Sequence, residues 1–137
     1  MRALIDCDVL LDVALERSAF LTDSVGVLGW AELHTGAGWV AWHSLANIHY
    51  IAGRLRGSRV ARDFLGEILA FLEVPAVDQV AARQALALPL ADYEDALQVA
   101  AALGASVDVI VTRNLADYRR SPVPALAPAE FLKRVRP

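Results

Sequence analysis

Leu4-Ile5-Asp6-Cys7-Asp8-Val9-Leu10-Leu11-Asp12 decides how the rest of the chain is read. An apolar run of the kind a buried strand needs ends in a carboxylate. A second acid follows two residues on, and a short apolar run then predicts a helix. Parallel strands covered on both faces read as continuous apolar residues, and such sheets bind ligands at the carboxyl ends of their strands. Asp6 is therefore expected at the mouth of a sheet. A strand-end acid has no evident capping duty of its own, whereas Asp8 or its neighbour is suited to cap the helix that follows through about Leu15. The question for every later stretch is whether it brings further carboxylates to that mouth.

Length and composition narrow the possibilities. A chain of 137 residues suits one domain spanning 1–137. With 56% of its residues hydrophobic and 21% charged, it is not a disordered chain. No apolar run reaches the ~18 residues that cross a bilayer, and the amino terminus meets an acid too early for a signal peptide. The single cysteine, Cys7, forbids an internal disulfide and fits a reducing cytoplasm. Neighbouring acids make Cys7 a poor nucleophile. The formal net charge of −3 argues against attraction of nucleic acid by the surface as a whole. The arginines are nonetheless grouped, as Arg54, Arg56, Arg59 and Arg62 and as Arg113, Arg119 and Arg120. Arginine is well shaped for phosphate, although solvated helix faces and loop ends explain each of these residues singly.

Taken in order, the chain alternates strand and helix. Ser18 to about His34 reads as a helix weakened by Gly26 and Gly29, and Trp39-Val40-Ala41-Trp42 as a short strand. Ser44 is a plausible N-cap for a helix from Leu45 to Leu55, with Ile48, Ile51, Ala52 and Leu55 as its buried stripe and Gly57 as its end. Ser58 opens another helix, and Glu73-Val74-Pro75-Ala76-Val77 is extended, Pro75 suiting a sheet edge. Asp78 caps a helix that Pro89 stops. Asp92 opens a helix that is apolar nearly all round from Ala96 to Leu103 and closes at Gly104. Val107-Asp108-Val109-Ile110-Val111-Thr112 is the clearest strand, Ala125-Leu126 a last short one, and Pro128 begins the terminal helix. The expected fold class is α/β, a three-layer sandwich with a mainly parallel central sheet.

Three acidic groups then fall where such a fold puts chemistry. Asp6 ends the first strand. Asp92 and Asp95 are three apart and share a face at the start of a central helix. Asp117 follows the clearest strand by five residues. Carboxylates held together repel one another unless a cation offsets the cost, and oxygen ligands select Mg²⁺ or Mn²⁺ over zinc. Such an ion suits phosphodiester hydrolysis. Each acid also has a quieter explanation. Asp92 with Asp95 makes a good N-cap and third-position pair, Asp12 and Glu94 read as solvated, and Asp117 as a turn residue.

Here the chain resembles a known family. Asp6-Cys7-Asp8-Val9-Leu10-Leu11-Asp12 is similar to the opening motif of PIN domains, usually Asp-Thr-Asn-Val-Leu-Leu-Asp. Asp92-Tyr93-Glu94-Asp95-Ala96-Leu97-Gln98 resembles that family's Asp-Phe-Glu-Asp-Ala-Leu-Gln, and Thr112-Arg113-Asn114-Leu115-Ala116-Asp117-Tyr118 its Thr-Arg-Asn-x-x-Asp-Phe. The similarity runs from residue 2 to about residue 132. It implies a PIN-like fold and a metal-dependent endoribonuclease, most often the VapC-type toxin of a toxin–antitoxin pair and frequently a homodimer. Expected partners are an RNA substrate, with tRNA as a candidate, and an antitoxin protein, with no membrane. By position the resemblance makes Asp6, Asp95 and Asp117 the metal-binding acids for Mg²⁺ or Mn²⁺, with Asp92 and Asn114 supporting. Asp8 stands where the family usually has Asn. Many members carry an acid where this chain has Asn47, which puts a second metal in doubt.

On this reading Arg113, Arg119 and Arg120, or the group Arg54–Arg62, are candidates to hold the RNA backbone, while Tyr93 and Tyr118 either stack an unpaired base or pack in the core. Two other readings stay open. A degenerate PIN fold would act as a binding module, for which Asn47 is the main support. A haloacid-dehalogenase-type phosphatase would use Asp6 and Asp8, but it expects a small residue where Leu10 stands. His34, His43 and His49 show no zinc spacing.

Overall fold

The computed structural model describes residues 1–136, so Pro137, the last residue of the expected domain, lies outside the described residues. Four short strands form the sheet: β1 (Ala3–Ile5), β2 (Gly38–Trp39), β3 (Val109–Val111) and β4 (Ala125–Leu126). Their order is β2-β1-β3-β4 and every pairing is parallel. Among the described residues seven α-helices surround them: α1 (Cys7–Ala14), α2 (Leu21–Leu33), α3 (Trp42–Arg56), α4 (Ser58–Leu69), α5 (Gln79–Ala87), α6 (Tyr93–Ala105) and α7 (Pro128–Val135).

The layers follow from the two-residue period of a strand. Ala3, Ile5, Val109 and Val111 pack with Val9 and Leu10 of α1, Val27 and Trp30 of α2, Ile48 of α3 and Phe131 of α7. Leu4 and Ile110 face the opposite way, onto Val99, Ala101, Ala102 and Ala105 of α6. The sheet is thus covered on both sides, which is why β1 and β3 carry apolar residues at every position. Trp30 meets Phe131 edge to face, with ring centroids 4.8 Å apart. The fold class is the expected one.

Several boundaries differ from the pattern reading, each for a local reason. The second strand pairs only over Gly38–Trp39, with a parallel bridge from Trp39 to Glu73. A Cβ on Gly38 would lie 2.6 Å from Ala31 Cβ, so the close approach of β2 to α2 requires glycine there. Helix α3 begins at Trp42 behind Ala41, and Ser44 lies inside its first turn rather than capping it. Leu55, expected in the buried stripe of α3, is exposed. Gly57 has φ +91 and turns the chain from α3 into α4. Helix α6 runs past Gly104 and is closed by Ser106 in the left-handed conformation. Asp78 caps α5, and Pro128 opens α7.

The arrangement places the carboxyl ends of β1 and β3 side by side, with Asp6 after one and Thr112 after the other. The amino ends of α1 and α6 lie close by, as the bonds from Thr112 and Gln98 to Asp6 show.

Candidate metal centre

Asp6 is almost fully buried where β1 passes into α1. Contrary to the expectation that it caps nothing, it is the N-cap of α1, its Oδ1 accepting from Cys7 N–H at 2.7 Å. The same oxygen accepts from Gln98 Nε2 on α6 at 2.6 Å. Its Oδ2 accepts from Thr112 Oγ1 at 2.8 Å and from the Tyr118 hydroxyl at 3.0 Å. Burial pushes its pKa above the ordinary carboxylate value, and the donors, Thr112 first, pull against that shift.

Tyr118 joins the first acid to the second. Its hydroxyl lies 3.3 Å from Asp95 Oδ1 as well as 3.0 Å from Asp6 Oδ2. Tyr118 is buried, so of its two readings the structure shows core packing and not an exposed stacking ring. Tyr93 donates to the Ala82 carbonyl at 3.0 Å and ties α6 to α5. Asp92 caps α6 by accepting from Asp95 N–H at 3.2 Å. Asp92, Glu94 and Asp95 each bring one oxygen within 4.8 Å of the others. Burial, a hydrogen bond with Glu94 and the neighbouring charges raise the Asp95 pKa to about 7. Asp8 is raised to about 6 by burial and by Asp6, and the Cys7 thiol is pushed up to about 12, so it remains un-ionised at neutral pH.

Two adjacent depressions share Asp95. One, of about 240 Å³, is lined by Asp6, Asp8, Asn47, Glu94, Asp95 and Asn114 together with Arg17. The other, of about 310 Å³, is lined by Asp92, Asp95, Asp117, Arg119 and Arg120. Asp6 and Asp95 are therefore brought together, with Asn114 beside them. Asp117 sits on the 3-10 turn Leu115–Tyr118, exposed, in the neighbouring groove.

Arg113 is placed otherwise than expected for a phosphate contact. Its guanidinium bonds Asp12 through Nε at 2.8 Å and Nη2 at 3.0 Å, and stacks 3.8 Å from the Phe20 ring centroid. The cause lies in Asp12, which is fully buried and therefore needs a cation instead of the solvent expected for it. Glu94 is likewise not simply solvated. It lines the cleft and accepts from His43 Nε2 at 3.2 Å.

The residues missed in the sequence are those that hold the acids: Gln98, Thr112, Tyr118 and Ser44, whose hydroxyl lies 3.0 Å from Gln98 Nε2. Gln98 did carry a signal, being the one polar side chain within the apolar run Ala96–Leu103. An all-oxygen donor set fits a hard divalent cation. One further observation fits it too: Asp8 Oδ1 is buried and has no hydrogen-bond partner.

A family model described as the PIN domain matches residues 2–116. No curated protein sequence matches the chain. Among solved structures, a toxin–antitoxin complex from Klebsiella pneumoniae aligns with TM-score 0.68 at 18% identity, over 92% of this chain and 97% of that one. VapBC2 from Rickettsia felis, bound to a DNA fragment from its promoter, aligns with TM-score 0.69 at 15% identity, over 93% and 98%. FitAcB from Neisseria gonorrhoeae aligns with TM-score 0.65 at 13% identity, over 93% and 98%. At these identities the likeness is one of fold.

Proposed function

This chain belongs to the PIN-domain family, whose members are generally nucleases, and on that footing we propose that it is a metal-dependent endoribonuclease, the toxin of a VapBC-type pair. The observation that carries the reading is the meeting of Asp6 and Asp95, from two separate elements, at one buried hydroxyl beside an oxygen-lined cleft. Asp6, Asp95 and Asp117 are the acids of the centre, with Asp92 and Asn114 supporting and Mg²⁺ or Mn²⁺ as the ion. When bound, the cation supplies Lewis acidity to the phosphodiester and lowers the pKa of attacking water.

The chain's own residues do the rest. Gln98 and Thr112 hold Asp6, while Tyr118 holds Asp6 against Asp95. Asp92 fixes the first turn of α6 so that Asp95 and Glu94 stay together. Arg119 and Arg120, in the groove that shares Asp95, hold the RNA backbone without reading bases. Asp117 lies among them and orients what enters. The chain acts as one cytoplasmic domain. Among the described residues no helix is long and apolar enough to cross a membrane. One structurally similar protein comes from a toxin–antitoxin complex and another from VapBC2, which supports an antitoxin as partner; a homodimer follows from the resemblance.

The test is cleavage of a mixed tRNA pool with Mn²⁺, beside Asp95→Asn and an EDTA control. The expected loss in the variant is at least about 100-fold, the order seen when one electrostatic contact to a transition state is removed. Equal cleavage by variant and wild type would attribute the signal to a contaminant. One observation favours a binding-only reading: Asn47 brings no charge to the cleft. Its signature is wild-type protein that neither binds Mn²⁺ nor cuts RNA.

A further inference from the structure

Asp6 is the most enclosed acid of the centre, and its oxygens are occupied. A carboxylate offers about four lone-pair sites. Cys7 N–H and Gln98 Nε2 donate to Oδ1, and Thr112 Oγ1 and Tyr118 Oη donate to Oδ2. A cation approaching Asp6 directly would have to displace one of them.

Asp8 is the opposite case. Its Oδ2 is fixed by Arg113 N–H at 3.0 Å, with Thr112 Oγ1 further off at 3.4 Å. Its Oδ1 is buried without a partner. The residue lines the same cleft as Asp95 and Glu94. The cationic side chain lining that cleft, Arg17, is engaged with Asp12 at 3.4 Å. An anionic oxygen buried without a protein donor is unfavourable, and a divalent ion is the compensation the surrounding oxygens are suited to share.

We propose that Asp8 gives the cation a direct carboxylate oxygen, on the side of the centre where Asp6 is taken up by protein donors. Asp8 then binds metal while its other oxygen is aimed by the Arg113 backbone, and Asp6 acts as the positioning residue between α1, β3 and α6. The assignment rests on the proposed metal centre.

The experiment is Mn²⁺ titration of wild type, Asp8→Asn, Asp8→Ser and Asp95→Asn by calorimetry and by the electron paramagnetic resonance of free Mn²⁺, with circular dichroism to verify folding. Asp8→Asn keeps the side-chain shape and is expected to weaken Mn²⁺ binding at least about tenfold. Asp8→Ser tests the same loss if the first variant fails to fold. Loss of binding in Asp95→Asn with binding within twofold of wild type in the Asp8 variants would overturn this inference alone. Asp8 would then have only water at its free oxygen. Wild-type protein that binds no Mn²⁺ would overturn the metal centre and this inference together.

Discussion

Asp8 and Asp12 stand one turn apart on the same short helix, and both touch Arg113. Asp12 takes everything Arg113 can give its side chain. It accepts from two guanidinium nitrogens and from Ser24, with Arg17 at 3.4 Å, and is fully buried. Asp8 receives only the backbone N–H of Arg113 from that residue and keeps one oxygen bare. One end of the helix is therefore electrically closed and the other open. The difference shows that a buried acid can be either a clasp or a site, depending on the cation that reaches it.

The clasp breaks first. Arg113→Ala leaves Asp12 buried with a single, longer ion pair, and unfolding in urea is expected to show a loss of about 3 kcal/mol. Because Asp8 is held by the Arg113 backbone, Mn²⁺ affinity should change far less than stability. A variant as stable as wild type would show that the clasp contributes nothing.

The open end is probed next through the donors that aim its acids. Thr112→Val removes a hydroxyl that Asp6 accepts, at nearly constant shape. Mn²⁺ affinity measured by calorimetry should fall about 10- to 100-fold, the range for groups that support a metal site from behind its ligands.

A subtler contrast lies in pH. The folded pKa values of Asp8 and Asp95 stand at about 6 and about 7, above the ordinary 3.8. Between those limits the folded protein binds more protons than the unfolded chain. The contribution of these two groups to metal-free stability is accordingly full near pH 4 and is lost as pH rises toward 7. Melting in EDTA should follow that slope. Asp8→Asn should flatten its lower part, and Mn²⁺ should restore stability at pH 7. A metal-free melting temperature that rises from pH 4 to 7 would contradict the open end.

The smallest expected effect concerns the neighbouring groove. Arg120→Ala should weaken binding of RNA modestly and uniformly across sequences, and reduce the slope of log affinity against log salt by about one. An unchanged slope would remove Arg120 from the RNA path.

Local pattern made much of this legible. The apolar runs at Leu4 and Val109 had to be buried, and each ends in a polar residue, so the site belonged at the carboxyl edge of the sheet. The spacing of Asp92 and Asp95 put both at the start of α6. The same pattern failed for Asp12 and Glu94, which look like solvated helix residues in sequence. It also assigned Arg113 to phosphate and left Asp6 without a capping duty. These errors share a cause: the deciding partner of each side chain lies on another element.

By itself, then, the sequence determined the alternation of strand and helix, the two-sided burial of the sheet, and the acids carried to one edge, since burial and backbone geometry act along the chain. Only the tertiary structure decided which acid is neutralised, which is saturated by donors, and which keeps an oxygen free. Those outcomes depend on Gln98, Thr112, Arg113 and Tyr118 arriving from remote segments, and a carboxylate's character is set by the donors within hydrogen-bond reach of it.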